Sequence, residues 1–398
     1  PVSSIYIGGG TANLSRQSEW KHLLQEIATL PISTETELTL EGAPLYFWSQ
    51  RTLLQDIASI LPTIKKRISI GVQTFHPHLI TLMGRNLMNN KLLDAIGIAK
   101  SLGFHISIDL LCNLPNQTPE EIVSDIEKAV ALNIPHICVY NLVCYDGLGT
   151  EWASDPKIVA QLPSREQSMA NMALVFQTFD RLGYDAITLT DFQKRGSGES
   201  GRYRYEEDIR APESVNWWGV GPGGISVLWD RVYGVKLENP RLSSTYIETI
   251  NSLDPDQQAT WQRSCVYAEI ERKLYWLTRQ IKGLSINPQQ YQRIFHTTIE
   301  DDFGPMFWLF QTEGLLTPAY ALTQKGCYFA DAMAGLLVEY AVQKDKQGAS
   351  TSRNTLPATR LHKMRTAQTY SLPRRPQLSP KIRQRRLRFN DARSYPMG

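Results

Sequence analysis

Five short apolar runs constrain this chain before any single residue is considered. Ser4–Ile7, Glu37–Leu40, Ile68–Val72, His105–Leu110 and His136–Asn141 recur roughly 30–37 residues apart, the spacing of strand–helix–strand units that build a parallel sheet. The segments between them carry helical periodicity. Leu92, Leu93, Ile96 and Ala99 make one apolar stripe stopped at Gly103. Thr118-Pro119-Glu120-Glu121 is a capping box with proline at the first helical position, and Ile122, Ile126, Ala129 and Val130 follow as a buried face. In sheets of this type ligands sit at the C-terminal strand ends. Gly8-Gly9-Gly10-Thr11, Glu41, Gln73 and Asp109 each close or follow a strand.

Later segments change character. Ser164 and Gln167 start another helix, with Met169, Met172, Ala173, Phe176 and Phe179 as its expected buried stripe and Gly183 as its end. Residues 184–240 read as strands and glycine-rich loops, and helical patterns dominate from Thr245 to Val342. Within these, Leu315-Leu316-Thr317 and Leu322–Gly326 suggest a small hairpin or wing before a last helix at Tyr328–Tyr340. After Gln343, Ser, Thr, Pro, Gln and Arg displace the apolar pattern. Arg383, Arg385, Arg386 and Arg388 lie in what reads as a solvated, disordered basic tail. The expected domains are 1–150, 151–240, 241–342 and the tail 343–398.

Composition narrows the class. The 398 residues are 42% hydrophobic and 20% charged, as in an ordinary globular protein. No run of 18 apolar residues exists, so no membrane span is expected. Pro1 follows no basic-then-apolar leader and reads as a cut edge. The five cysteines, Cys112, Cys138, Cys144, Cys265 and Cys327, are scattered without a disulfide or metal-clip spacing and read as ordinary thiols of a reducing cytoplasm. Other motifs are discounted. Gly219-x-Gly221-x-x-Gly224 is interrupted by Pro222 and precedes a strand, unlike a dinucleotide fingerprint. His76-Pro77-His78 lacks a third ligand and reads as a loop. Trp217-Trp218 suits either stacking on a flat ligand or burial under the glycine loop.

A glycine turn at a strand end lets backbone groups approach a ligand with no Cβ in the way. The blocks around these turns resemble one family. They are Tyr6–Thr11, Glu37–Glu41, Arg67–Phe75, Gly84-Arg85, Gly103–Leu110 and Leu114–Thr118, followed by Tyr140-Asn141-Leu142, Gly219–Gly224 and Leu322–Gly326. The resemblance is to the radical S-adenosylmethionine (SAM) family that contains the oxygen-independent coproporphyrinogen III oxidases and related heme chaperones, and it spans roughly residues 4–340.

That resemblance implies an α/β fold: a partial (β/α)6 radical SAM (TIM-like) barrel lacking its first βα unit, followed by a mixed, mainly helical C-terminal domain. It implies SAM binding by Gly9, Gly10, Thr11, Glu41, Gln73, Arg85 and Asp109, with Arg85 on the methionine carboxylate and the acceptors on amine or ribose hydrogens. It also implies a [4Fe–4S] cluster that reduces SAM to a 5′-deoxyadenosyl radical, a tetrapyrrole or other small-molecule substrate, and an electron donor such as flavodoxin or ferredoxin. Heme is a further implied ligand through the chaperone branch, and a methyl-transferring branch exists. No nucleic-acid partner is expected. The family's Cys-x-x-x-Cys-x-x-Cys loop is absent from this sequence, so the chain as it stands is expected to bind no cluster and to be inactive. Two further departures are Asn113 where the family often has glycine, and Tyr145 with Asp146 where it has glutamate.

Overall fold

The computed structural model describes residues 1–85, 89–142, 155–229, 234–252 and 263–351. Its chain divides into two compact units, Pro1–Glu207 and Asp208–Gly398.

The first unit is built on a seven-stranded sheet. The strands are β1 (Ser4–Ile7), β2 (Glu37–Gly42), β3 (Lys65–Gln73), β4 (His105–Cys112), β5 (His136–Asn141), β6 (Tyr184–Ala186) and β7 (Asp191–Lys194), in the order β1-β2-β3-β4-β5-β7-β6. β1 to β5 are parallel and in chain order, whereas β7 runs antiparallel to β5 and β6 antiparallel to β7. Successive side chains on a strand face opposite sides, and here the two sides differ in kind. Leu38, Leu40, Ile68, Ile70, Val72, Ile106, Ile108, Leu110, Ile137 and Val139 are buried on one. The alternate positions hold Glu37, Thr39, Arg67, Ser69, Ser107, His136 and Cys138, also buried. The helices Gln17–Ala28, Arg51–Ile60, Asn89–Ser101 and Pro119–Ala131 connect the parallel strands and bury Leu24 and Ile27, Leu54 and Ile57, Ala95 and Ala99, and Ile122 and Ile126 respectively.

Both capping boxes form. The Thr118 hydroxyl accepts from the Glu121 amide at 3.2 Å, and Ser164 accepts from Gln167 at 3.2 Å. Two stripe positions differ from expectation. Leu93 is 51% exposed, and in the helix Arg165–Arg181 Met169 faces outward while Val175 and Thr178 are buried with Phe179. Both outliers flank their stripe, where a rotation of part of a turn moves a residue from core to rim. Asn113 adopts φ 63°, a left-handed conformation that glycine takes readily and asparagine tolerates. The glycine-to-asparagine departure thus keeps the turn. It also adds a chain of amides, Asn171 Nδ2 to Asn113 Oδ1 (2.8 Å) and Asn113 Nδ2 to Asn141 Oδ1 (2.7 Å). Tyr145, Asp146 and Cys144 lie outside the described residues.

The second unit contains a three-stranded antiparallel sheet, β8 (Ile225–Trp229), β9 (Gly234–Glu238) and β10 (Arg263–Tyr267), in the order β10-β9-β8. A strand therefore follows the glycine loop, and Gly219 shows why the loop carries glycine. A Cβ there would lie 2.3 Å from the Ile225 nitrogen. Asn239 Nδ2 closes the loop by donating to the Gly219 and Gly221 carbonyls at 3.1 and 2.9 Å. Trp217 packs on the core of Val227, Trp229 and Tyr267, while Trp218 is 62% exposed rather than buried under the loop. Helices Glu269–Lys282, Pro288–Phe295, Ile299–Thr312, Gln324–Tyr328 and Ala330–Thr351 make up most of the rest. Bridges Leu316↔Leu322 and Ser285↔Ala321 form the expected small wing. The last helix runs through Thr351, correcting the reading of a structureless tail from residue 343. Residues 352–398 are outside the description. The short helix Pro77–Leu82 contains His78 and starts just after His76, where a loop is the sequence expectation. Both imidazoles lie near Glu121, at 3.6 and 3.4 Å. No helix among the described residues is long and apolar enough to cross a membrane.

Candidate functional site

Because β1 to β5 are parallel, their C-terminal ends open on one edge of the sheet, and the polar residues singled out in the sequence gather there. Glu41 is next to last in β2, pairs in register with Ser69, and accepts a hydrogen bond from the Tyr6 hydroxyl at 2.9 Å. A Cβ on Gly8 would fall 2.6 Å from Glu41 Oε2 and 2.5 Å from the Tyr6 ring, so glycine is required where β1 exits. Asn13 ties the two exits together, donating to the Ala43 carbonyl at 3.0 Å and accepting from the Ala43 amide at 3.2 Å.

Gln73 ends β3 with φ 72°, after a register irregularity between Gly71 and Gln73. An L-residue pays strain at such an angle, and the effect is to turn the side chain back along the strand. A Cβ on Gly71 would lie 2.9 Å from Gln73 Nε2 and 3.8 Å from Arg85 Nη1. Gln73 and Arg85 therefore both reach toward the bare backbone of Gly71, and Gly71 is the register partner of Asp109.

Asp109 sits inside β4, three residues before Cys112 rather than at its end, because the strand continues past Leu110. Ser69 Oγ lies 3.0 and 2.9 Å from its two carboxylate oxygens. Burial pushes the carboxyl up to about 6, with Glu41 and Asp191 adding like charge, against the hydrogen bonds from Ser69 and Cys138. Tyr6 is pushed well above the usual phenol range, first by burial and then by the Glu41 and Asp109 charges. Gly9 (φ 90°) and Gly10 (φ 60°) form the exposed turn after β1, with no heavy atom of the described residues within 4 Å of their Cβ positions. Thr11 follows on the same turn and is exposed. Glu41, Gln73 and Asp109 are thus brought to neighbouring strands, with Arg85 reaching in from beyond the helix Pro77–Leu82, while Gly9, Gly10 and Thr11 form the exposed turn after β1 at the same edge.

Several participants are silent in the sequence. Tyr6 and Ser69 position the two carboxylates. Tyr205 stacks on Tyr6 with centroids 4.4 Å apart, and Tyr203 lies edge-on to His136 at 5.0 Å with the Arg67 guanidinium 5.1 Å above its ring. Arg67 and Glu37 form a buried ion pair (3.3 Å), and Glu37 also accepts from the Arg204 amide at 3.0 Å. These partners are 30 to 167 residues apart in the chain, which no local pattern reports.

The donor set suits SAM: carboxylate and amide acceptors beside one guanidinium, over a backbone cleared of Cβ atoms. The described cysteines do not suit a cluster. Cys112 and Cys138 are buried on strands, and among the described residues the one close group of three potential metal ligands holds a single cysteine.

No family model matches the chain. Among curated proteins it is similar to the heme chaperone HemW of Lactococcus lactis, 24% identical over 306 residues that cover 76% of this chain and 75% of that protein. It is 35% identical over 222 residues to HemW of Haemophilus influenzae, covering 55% of this chain and 52% of the relative. It is 29% identical over 241 residues to the oxygen-independent coproporphyrinogen III oxidase of Salmonella typhimurium, covering 58% and 50%. Apart from the Lactococcus protein, the chain spans about half of these relatives' length. Among solved structures it matches coproporphyrinogen III oxidase (HemN) from Escherichia coli, a radical SAM enzyme, with a TM-score of 0.70 at 18% identity, over 85% of this chain and 78% of that one. The chain is thus similar in sequence to HemW heme chaperones and oxygen-independent coproporphyrinogen III oxidases, and it shares the fold of the Escherichia coli coproporphyrinogen III oxidase.

Proposed function

We propose that the chain binds S-adenosylmethionine at the C-terminal ends of β1 to β4 and serves heme- or porphyrin-directed radical SAM chemistry. The observation that carries this reading is the approach of both Gln73 and Arg85 to the bare backbone of Gly71, with Asp109 in register beside it and Glu41 on the neighbouring strand. The strand order supports it. Five parallel strands in strict chain order are the arrangement of a (β/α) barrel, whereas a doubly wound sheet reverses direction at its centre. We read the first unit as part of a (β/α)6 barrel.

In this site Arg85 pairs with the methionine carboxylate, for which its planar fork is suited. Gln73 accepts from the amine through its carbonyl oxygen, and Glu41 and Asp109 accept from ribose hydroxyls. Tyr6 and Ser69 hold these carboxylates in place. Bound SAM would supply the nucleoside for hydrogen-abstraction chemistry once a one-electron donor, which the described cysteines do not hold, reduced it, and the chain's part is to orient SAM and exclude water. The cysteines described here do not fit an iron–sulfur cluster, and no step is derived through one.

The similarity over three quarters of the Lactococcus heme chaperone favours a second reading, in which the chain carries heme. Equilibrium dialysis with labelled SAM tests the first reading. Arg85→Ala should weaken binding about 10- to 100-fold, the worth of a charge-assisted bond. Lys91→Ala, whose ammonium lies over Trp48, should leave it unchanged. Equal affinities of the two variants would remove the assigned role. Heme titration tests the second: a stoichiometric Soret shift supports the carrier, and free-heme spectra throughout exclude it.

A further inference from the structure

On the polar side of the first unit's sheet, beside Asp109, which is the register partner of Cys138 and is hydrogen-bonded to it, His136, Cys138 and Asp191 converge with all three side chains buried. β5 supplies His136 and Cys138 two residues apart on one face, and β7 brings Asp191 into register opposite Cys138. One ligand atom from each lies within 4.8 Å of the others. Cys138 Sγ is 3.2 Å from Asp191 Oδ1, and His136 Nε2 is 3.4 Å from the same oxygen. Bonds of about 2.0–2.3 Å in a tetrahedron place ligand atoms roughly 3.3–3.8 Å apart, close to the two distances onto Asp191 Oδ1, while Cys138 Sγ lies 3.9 Å from His136 Nδ1 and the ring has to turn to present Nε2 to it.

The groups behind these donors are those a metal site requires. Ser107 Oγ lies 2.8 Å from His136 Nδ1, which occupies that nitrogen and leaves Nε2 as donor. Thr190 Oγ1 donates to Asp191 Oδ2 at 2.9 Å and Thr188 Oγ1 donates to the same atom, which leaves Oδ1 facing the other two ligands. The nearby Arg67 is already paired with Glu37.

We propose that His136, Cys138 and Asp191 form a binding site for a zinc-class divalent transition metal that staples β7 to β5. Imidazole, thiolate and carboxylate are the ligand types such ions take. Binding breaks the Cys138 S–H bond and forms a metal–sulfur bond. The proton leaves to solvent and nothing is oxidised or reduced. Thiolate and carboxylate then cancel the ion's two charges, with the Asp109 carboxyl alongside Cys138. The three ligands share no residue with the SAM site proposed above, and Cys138 borders that site through Asp109.

The test is production of the full chain in minimal medium containing Co2+, followed by metal analysis and near-ultraviolet spectroscopy. One cobalt per chain with a thiolate-to-cobalt charge-transfer band is expected. Cys138→Ser should abolish the band and lower metal content at least ~10-fold, while Cys265→Ser should retain both. Wild-type protein without the band, or a band that survives in Cys138→Ser, would overturn the proposal. Should Cys138→Ser fail to accumulate, the wild-type result decides alone.

Discussion

Replacing Asp109 with asparagine should make the protein more stable at neutral pH and worse at holding SAM. In the folded chain the Asp109 carboxyl is raised from 3.8 to about 6, chiefly by burial. Such a group contributes nothing below about pH 4, where folded and unfolded forms are both protonated. As pH rises the unfolded chain ionises freely and the folded chain resists, so stability falls until about pH 6 and then levels off. At about 1.4 kcal/mol per unit the full penalty is roughly 3 kcal/mol. Asp109 keeps part of its surface open, so about 2 kcal/mol is the better figure. Asparagine fills the same volume and retains an oxygen for the Ser69 hydroxyl, so Asp109→Asn removes the penalty without emptying the site. Urea unfolding of both proteins at about pH 4 and about pH 8 measures it: the midpoints should coincide at the lower pH and separate at the higher, with the variant ahead. SAM affinity should fall in the same variant. A midpoint difference that ignores pH, or a variant that is the weaker protein at pH 8, would refute the reasoning.

Two glycines give opposite outcomes. Gly71→Ala meets only the movable end of Gln73, at 2.9 Å; thermal stability should stay close to wild type while SAM affinity falls, and unchanged affinity would separate Gln73 from the ligand. Gly219→Ala would drive a methyl against the Ile225 backbone at 2.3–2.6 Å. It should cost about 3 kcal/mol, visible as a lowered unfolding temperature, and a shift below ~2 °C would show that the loop yields.

The strands of the first unit were legible because each is a compact apolar run ended by glycine or a polar residue, and β1 and β5 have the expected bounds. β10 was not. Arg263-Ser264-Cys265-Val266-Tyr267 is short and mixed, and it becomes a strand by pairing with β9. In the site, the turn glycines and strand-end acceptors could be picked out because each interrupts an apolar pattern. Their supports could not. Tyr6 looks like one more strand residue until Glu41 is set beside it, and Cys138 looks like an inert thiol until β7 delivers Asp191 from 53 residues away. Local chemistry was readable, and juxtaposition was not.

The two-sided sheet has a consequence for how this protein can vary. Along β3, Ile68, Ile70 and Val72 alternate with Arg67, Ser69, Gly71 and Gln73. A slip of the strand by one position would send a guanidinium into the greasy layer and isoleucines among carboxylates. Misregistered chains are thus penalised twice, once on each surface. Saturation mutagenesis along β2 to β5 should display a two-residue beat, in which odd and even positions fail for different reasons: one set through lost folding, the other through lost ligand handling in protein that still folds.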